Sequence, residues 1–257
     1  MSETLLMERP AGLIQIENVH KEFDGMPVLR GVNLDVPAGC LYGLIGPGAA
    51  GKSVLLKMIT GLVNPDSGRV LVEGRDVHTM TELDLQKFRL RFGMLFQNNA
   101  LFDYLNVRDN IAFPLRRMTP AGEPEIAQRV AERLKVVSLP GFEDRSPGGL
   151  SGGQKKRIGV ARATVVDAPI VLYDEPAAGL DPVTSQRIFE LLRREQRAKG
   201  ATVVMVSSDL DRLLTVTDRV GMLYRGRLIF DGTTEEAKQS RDPYVRQFVH
   251  GLTEGPL

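Results

Sequence analysis

Along residues 13–19 apolar and polar side chains alternate, the two-residue period of a strand with one buried face. Residues 28–36 predict a second strand, ended by a turn at Pro37, Ala38 and Gly39. Residues 41–45 are an unbroken apolar run, as expected of a strand covered on both faces. The period then changes. Val54, Leu55, Met58, Ile59 and Leu62 fall at helical spacing and predict a helix over 53–62, and residues 70–72 predict a short strand closed by Glu73 and Gly74.

The middle third has a different texture. Residues 82–92 and 124–137 are rich in helix formers, and Ile126, Val130 and Leu134 recur every fourth position. Segments around Pro114, Pro120, Pro140 and Pro147 read as the loops between these pieces, so about 85 to 160 is expected to be a mostly helical subdomain. Strand pattern returns at 170–174, 202–206, 219–224 and 227–230, with a helix over 182–198. Asp181 ahead of Pro182 suits an N-cap followed by proline at the first helical position. Alternating strands and helices predict an α/β fold built on a mostly parallel sheet, with the helical subdomain inserted in the core. Residues 10–250 are expected to form one domain, with short tails at 1–9 and 240–257.

Composition narrows the function classes. Apolar residues are 42% and charged residues 25% of 257, with a formal net charge of +1, so nothing favours a nucleic-acid partner. Apolar runs fall far short of the roughly 18 residues of a membrane span, and residues 1–10 lack a signal peptide's basic start and apolar block. The single cysteine, Cys40, rules out an intrachain disulfide and fits a reducing cytoplasm; next to an apolar strand it is expected to be buried and inert.

Gly46, Pro47, Gly48, Ala49, Ala50, Gly51, Lys52 and Ser53 fit G-x-x-x-x-G-K-[ST], between the buried strand and the first helix. Backbone N–H groups of such a loop turn inward to cradle phosphates, and the helix N-terminus adds positive potential. Lys52 can then bridge the β- and γ-phosphates of ATP, and the Ser53 hydroxyl can ligate Mg²⁺. Apolar residues 170–172 and Tyr173 lead into Asp174 and Glu175. Alone the two acids could be a solvated strand end. Beside a phosphate loop at the same sheet edge, Asp174 suits Mg²⁺ and Glu175 suits the base that polarises an attacking water. Leu150, Ser151, Gly152, Gly153 and Gln154 open a helix, where Ser151 is an N-cap and free N–H groups form an anion site.

With these motifs in this order, the chain resembles the ATP-binding cassette family over nearly its whole length. Gln97 lies at the sheet-to-helix junction, LSGGQ at 150–154, YDEP at 173–176, and Gly179, Leu180, Asp181 and Pro182 match the family's D-loop. The resemblance implies a P-loop cassette with an added antiparallel β-subdomain, working as a head-to-tail dimer of two copies around ATP. It implies that Phe23 stacks on adenine, although a phenylalanine there could equally be core. It implies that Gln97 touches Mg²⁺ or the attacking water. Ser151, Gly153 and Gln154, with Asp181 of the D-loop, would serve the nucleotide bound on the opposite subunit.

A narrower likeness is to the ATPases of Mla-type lipid transporters. It rests on residues 95–97, 100–103, Asn106, Val107 and 110–116, and near the end on Asp242, Pro243, 245–248, Gly251, Gly255 and Pro256. That likeness implies two partners, a membrane permease of the MlaE kind and a lipid-carrying MCE-domain protein. The ATPase would sit on the cytoplasmic side of a bacterial inner membrane and drive phospholipid movement between envelope membranes. Phe102, Tyr104 and Leu105 are then candidates for docking the permease, with core packing as the other reading. The 240–257 tail could contact a second copy. Other expectations are an importer or exporter of another substrate, a cassette without a permease, and a nucleotide clamp with negligible hydrolysis.

One position departs from the family pattern. Where a histidine is expected after strand 202–206, the chain reads Val206, Ser207, Ser208 and Asp209, and its three histidines, His20, His78 and His250, lie elsewhere. A serine hydroxyl is shorter and cannot become a cation. Loss of one preorganised stabiliser of transition-state charge costs about 2.7–4 kcal/mol. Ser208 therefore implies a slow ATPase, a variant compensated by another group, or a substitution that traps ATP.

Overall fold

The computed structural model describes residues 11–96 and 100–257. Two sheets share the molecule. The smaller is antiparallel, with β1 (Ile14–Phe23), β2 (Met26–Val36), β4 (Ser67–Val72) and β5 (Arg75–Asp76) in the order β2-β1-β4-β5. The larger contains β3 (Leu41–Ile45), β6 (Phe92–Leu95), β7 (Ile170–Asp174), β8 (Thr202–Val206), β9 (Arg219–Tyr224) and β10 (Arg227–Thr233) in the order β10-β9-β3-β8-β7-β6. Its strands are parallel except β10, which returns antiparallel beside β9. Residues of β3, β7 and β8 are all buried, as continuous apolar runs require when both faces are covered.

The nine helices among the described residues are α1 (Lys52–Ile59), α2 (Glu82–Arg89), α3 (Val107–Met118), α4 (Glu123–Val136), α5 (Gly152–Thr164), α6 (Pro182–Lys199), α7 (Leu210–Val216), α8 (Thr234–Lys238) and α9 (Pro243–His250). One core cluster joins the antiparallel sheet and α1 to a face of the large sheet through Ile14, Val32, Leu55 and Leu172. The other packs α3 to α6 on the opposite face through Ile111, Val130, Ile158 and Phe189. Cys40 is buried, and burial pushes its thiol up to about 11, so it stays protonated at neutral pH.

Two expectations are corrected. The stretch read as helical from 82 to 92 ends as a helix at Arg89, and Phe92 opens β6, which pairs in parallel with β7. The segment from about 85 to 160 therefore contributes an edge strand to the large sheet before it becomes helical. Pro114, expected in a loop, lies inside α3. An interior proline costs about 3 kcal/mol or more. Val107, Ile111 and Leu115 are all fully buried by the same helix, and burial of each contributes about 1.5–3 kcal/mol. Packing outweighs the break.

Candidate active site

The phosphate-loop residues run from the end of β3 to α1, and their backbone dictates their side chains. Gly46 has φ +139°, and a Cβ there would lie 2.0 Å from the Leu223 carbonyl oxygen. Gly51 has φ +101°, and a Cβ there would lie 2.6 Å from Leu29 Cδ2. Glycine is required at both ends of the loop. A Cβ at Gly48, in contrast, would meet nothing within 4 Å among the described residues, so mid-loop the backbone borders open space. As the N-cap of α1, Gly51 has no side chain to cover the helix's first N–H groups, which remain available to an anion.

Lys52 folds back over this loop, its Nζ donating to the carbonyl oxygens of Gly46 at 2.6 Å and Pro47 at 2.8 Å. Burial lowers the pKa of this ammonium, and the nearby charges of Glu175 and Asp174 oppose that shift. From the next position Ser53 Oγ donates to Asp174 Oδ1 at 3.2 Å. Asp174 ends β7 and is only 5% exposed. Because β8 separates β3 from β7, the loop after β3 and the acids after β7 meet at one edge of the sheet.

Glu175 is held on every side. Its backbone has φ +54°, an uncommon conformation for a residue with a side chain. Its N–H donates to Val206 O at 2.9 Å, and its carbonyl accepts from Lys156 Nζ at 3.0 Å. Its Oε2 accepts from both the backbone N–H of Ser208, at 3.1 Å, and the Ser208 hydroxyl, at 3.0 Å.

Ser151, Gly153 and Gln154 form the first turn of α5. Ser151 Oγ accepts from the Gln154 N–H at 3.3 Å, and Gln154 Oε1 accepts from the Ser151 N–H at 2.9 Å, a reciprocal capping box. Asp181 caps α6 by accepting from the N–H groups of Val183 at 3.0 Å and Thr184 at 2.9 Å. A Cβ on Gly153 would lie 3.5 Å from Leu180 Cδ2, which sets the glycine-bearing helix start beside the turn that leads to Asp181. Phe23, at the end of β1, is 43% exposed, with Lys21 Nζ 5.2 Å from its ring centroid. Gln97 lies outside the described residues.

Of the docking candidates, Tyr104 is 80% exposed, while Phe102 is half-buried with its ring 4.9 Å from that of Phe113 and 5.7 Å from that of Tyr104. Leu105 is also half-buried. Beside them runs an apolar groove of about 290 Å³ lined by Phe92, Met94, Phe102, Phe113 and Val166.

The sequence assigned no role to two residues that the fold makes important. Asn110 is fully buried, accepts from the Phe102 N–H at 2.9 Å, and donates to the carbonyls of Phe102, Leu105 and Asn106 at 3.0, 3.1 and 3.0 Å. Lys156 stands in the run Lys155, Lys156 and Arg157 on α5, a pattern that alone suggests a solvated face. Helical spacing, which aligns it with buried Val160 and Ala163, could have marked it as inward-facing.

Residues 29–178 match the family described as ABC transporter. The chain belongs to the ABC transporter family. It is an ATPase subunit of that kind, with an α/β cassette fold. A protein of Mycobacterium leprae called "Probable ribonucleotide transport ATP-binding protein mkl" is 41% identical over 249 residues, covering 96% of this chain and 72% of that protein. The "Intermembrane phospholipid transport system ATP-binding protein MlaF" of Haemophilus influenzae is 35% identical over 245 residues, covering 95% of this chain and 93% of that protein. Among solved structures, the dimeric post-hydrolysis state of an ATP-binding cassette bound to ADP and Pi superposes with a TM-score of 0.80. It is 29% identical and covers 86% of this chain and 98% of the other.

Proposed function

We propose that this ABC ATPase drives phospholipid movement by an Mla-type transporter, hydrolysing ATP in a composite pocket between two copies of the chain. The observation that carries the lipid reading is the reach of the MlaF likeness, which takes in 95% of this chain and 93% of the relative and so includes segments remote from the nucleotide chemistry.

In this reading the loop from Gly46 to Gly51, through Pro47, Gly48, Ala49 and Ala50, wraps the phosphates while Phe23 supports the base. Lys52, now bonded to loop carbonyls, exchanges those partners for phosphate oxygens. Glu175 accepts the proton of the water that attacks the γ-phosphorus, and ADP leaves with the bridging oxygen's electrons. Ser53 Oγ and Asp174 Oδ1, 3.2 Å apart, offer the oxygen donors a magnesium ion takes, and Gln97 would add a third. Among the described residues no group of three or more His, Cys, Asp or Glu gathers to hold a metal, so phosphate and water oxygens would supply the rest. When bound, the ion neutralises charge on the β- and γ-phosphates. Ser151, Gly153 and Gln154 close over the nucleotide of the other subunit, with Asp181 holding the start of α6 beside them.

The chain would sit on the cytoplasmic face of the inner membrane, docked through Phe102, Tyr104 and Leu105 to an MlaE-like permease that itself engages an MCE-domain lipid carrier. No helix among the described residues is long and apolar enough to cross a membrane.

Purification from membranes with the chain tagged tests this, with bound proteins and lipids identified by mass spectrometry. Recovery of a permease, an MCE-domain protein and stoichiometric phospholipid is expected. The 41% identity to the mycobacterial protein favours a second reading, a ribonucleotide transporter. Recovery of a permease with a soluble substrate-binding protein and no lipid would select it.

A further inference from the structure

Lys156 is 6% exposed and its ammonium donates to a backbone oxygen rather than a carboxylate. That oxygen belongs to Glu175, at 3.0 Å. A buried cation without a direct ion pair is costly, so its retention calls for a physical return. Its environment is consistent with that strain: burial lowers its pKa, and the charges of Glu175 and Asp174 pull it back up.

The placement of the two ends supplies the reason. Lys156 stands on α5, five residues beyond Ser151, on the same rigid helix that begins with the capping box of Ser151 and Gln154. Its far end grips the residue whose backbone is already in the left-handed region and whose N–H is fixed to Val206 of β8. Because the Lys156 stem is buried and has little room to re-extend, a shift of α5 draws on the Glu175 carbonyl through this bond. In the composite pocket proposed above, the start of α5 contacts the nucleotide of the partner subunit, whereas Glu175 acts on the nucleotide of its own.

We infer that Lys156 is a strut between the two nucleotide sites of the dimer, a positioning residue that aligns Glu175 according to whether the first turn of α5 is engaged by the partner's ATP. The inference rests on the composite-pocket reading. It assigns cooperativity between sites to a contact within one chain, from the signature helix to the residue after β7. The charge adds attraction to the acidic end of β7, where Glu175 and Asp174 favour the ammonium.

The test uses the full-length chain and its Lys156→Met, Lys156→Gln and Lys156→Arg variants. Steady-state hydrolysis is followed against MgATP concentration, and ATP-driven dimerisation is measured by sedimentation in a Glu175→Gln background. Wild type is expected to hydrolyse ATP with a Hill coefficient well above 1, toward the ceiling of about 2 set by two coupled sites. Lys156→Met and Lys156→Gln should bring the coefficient to about 1 and reduce kcat by about fivefold or more, while still dimerising with ATP. Lys156→Arg, which keeps a cationic donor of similar reach, should restore both values. A side chain that merely fills the core would change the melting temperature and leave the Hill coefficient alone. Unchanged cooperativity in folded Lys156→Met or Lys156→Gln overturns the strut while leaving the composite pocket intact, provided dimers form. Absence of ATP-driven dimers in the wild-type Lys156 background overturns both.

Discussion

Ser208 Oγ lies 3.0 Å from Glu175 Oε2 and donates its hydrogen bond to that oxygen, which also accepts the Ser208 backbone N–H at 3.1 Å. One carboxylate oxygen is thus doubly occupied by the residue at which the family resemblance leads one to expect a histidine. The serine orients the carboxylate but brings no cation toward the phosphates. Replacement by histidine is expected to raise ATP turnover by about 10², the lower end of what one preorganised charge stabiliser contributes. ATP affinity should change by no more than about twofold, because the gain lies in the transition state. Phosphate release and nucleotide titration on Ser208→His measure the two quantities, and equal turnover in both proteins would count against this role.

Glu175→Gln keeps the shape of the side chain and an acceptor for Ser208 but removes the proton acceptor. Turnover is expected to fall by about 10²–10⁴, the usual contribution of a positioned base. Gel filtration with MgATP should show a dimer that persists in this variant and decays in the wild type. A variant that hydrolyses ATP at the wild-type rate would remove Glu175 from the reaction.

Phe23 offers a clean separation of binding from folding, because at 43% exposure it contributes little to the core. Loss of base stacking costs about 1–3 kcal/mol. Phe23→Ala should weaken ATP binding by about tenfold or more, leave tripolyphosphate binding unchanged, and barely shift the thermal midpoint. A large drop in the midpoint with unaltered affinity would assign the ring to packing.

Asp218 supplies a pH dependence whose sign is fixed. Burial raises its pKa, but hydrogen bonds from Arg193, together with the Leu41 N–H at 2.8 Å, outweigh that and hold the carboxyl below its usual range. A depressed folded-state pKa gives stability that is present above the unfolded value of about 3.9 and is lost as pH falls through the lower folded value. With its side chain 38% exposed the ion pair is partly screened, so Asp218→Asn should cost about 1–2 kcal/mol at pH 7. The difference from wild type should be smaller at about pH 3 than at pH 7, and vanish only below the lowered folded value. Urea denaturation at both pH values checks it.

Tyr104 and Asn110 test the docking surface from two sides. Tyr104→Ala removes an exposed ring and should lower permease recovery while ATPase activity of the isolated chain is kept. Asn110→Ala releases the backbone of residues 102–106 and takes their hydrogen-bond partner from the Phe102 N–H and the Leu105 carbonyl, a cost of about 1–3 kcal/mol, so it should lower both permease recovery and the thermal midpoint. Full recovery with both variants would move the docking surface elsewhere.

What the sequence disclosed was mostly short-range. β3, β7, β8 and β9 announced themselves as apolar runs, and the caps at Ser151 and Asp181 as single residues ahead of helices. The phosphate loop is legible because its glycines answer to local backbone geometry. The features that escaped are tertiary. Phe92 reads as the end of a helix because its partner strand lies some eighty residues away, at Ile170. Pro114 reads as a loop because the burial that keeps α3 helical belongs to other residues. The grip of Lys156 and Ser208 on Glu175 spans separations of 19 and 33 residues, where no periodicity points.

The position of β3 between β8 and β9 also bears on biosynthesis. Leu41 pairs with Val203, and Tyr42 with Arg219, so the strand that launches the phosphate loop has neither neighbour until most of the chain has left the ribosome. A nascent chain stalled before residue 200 holds every glycine of that loop yet lacks both strands that flank β3. Nucleotide capture is thereby deferred to the end of translation, and truncated products are left without a competent ATP site.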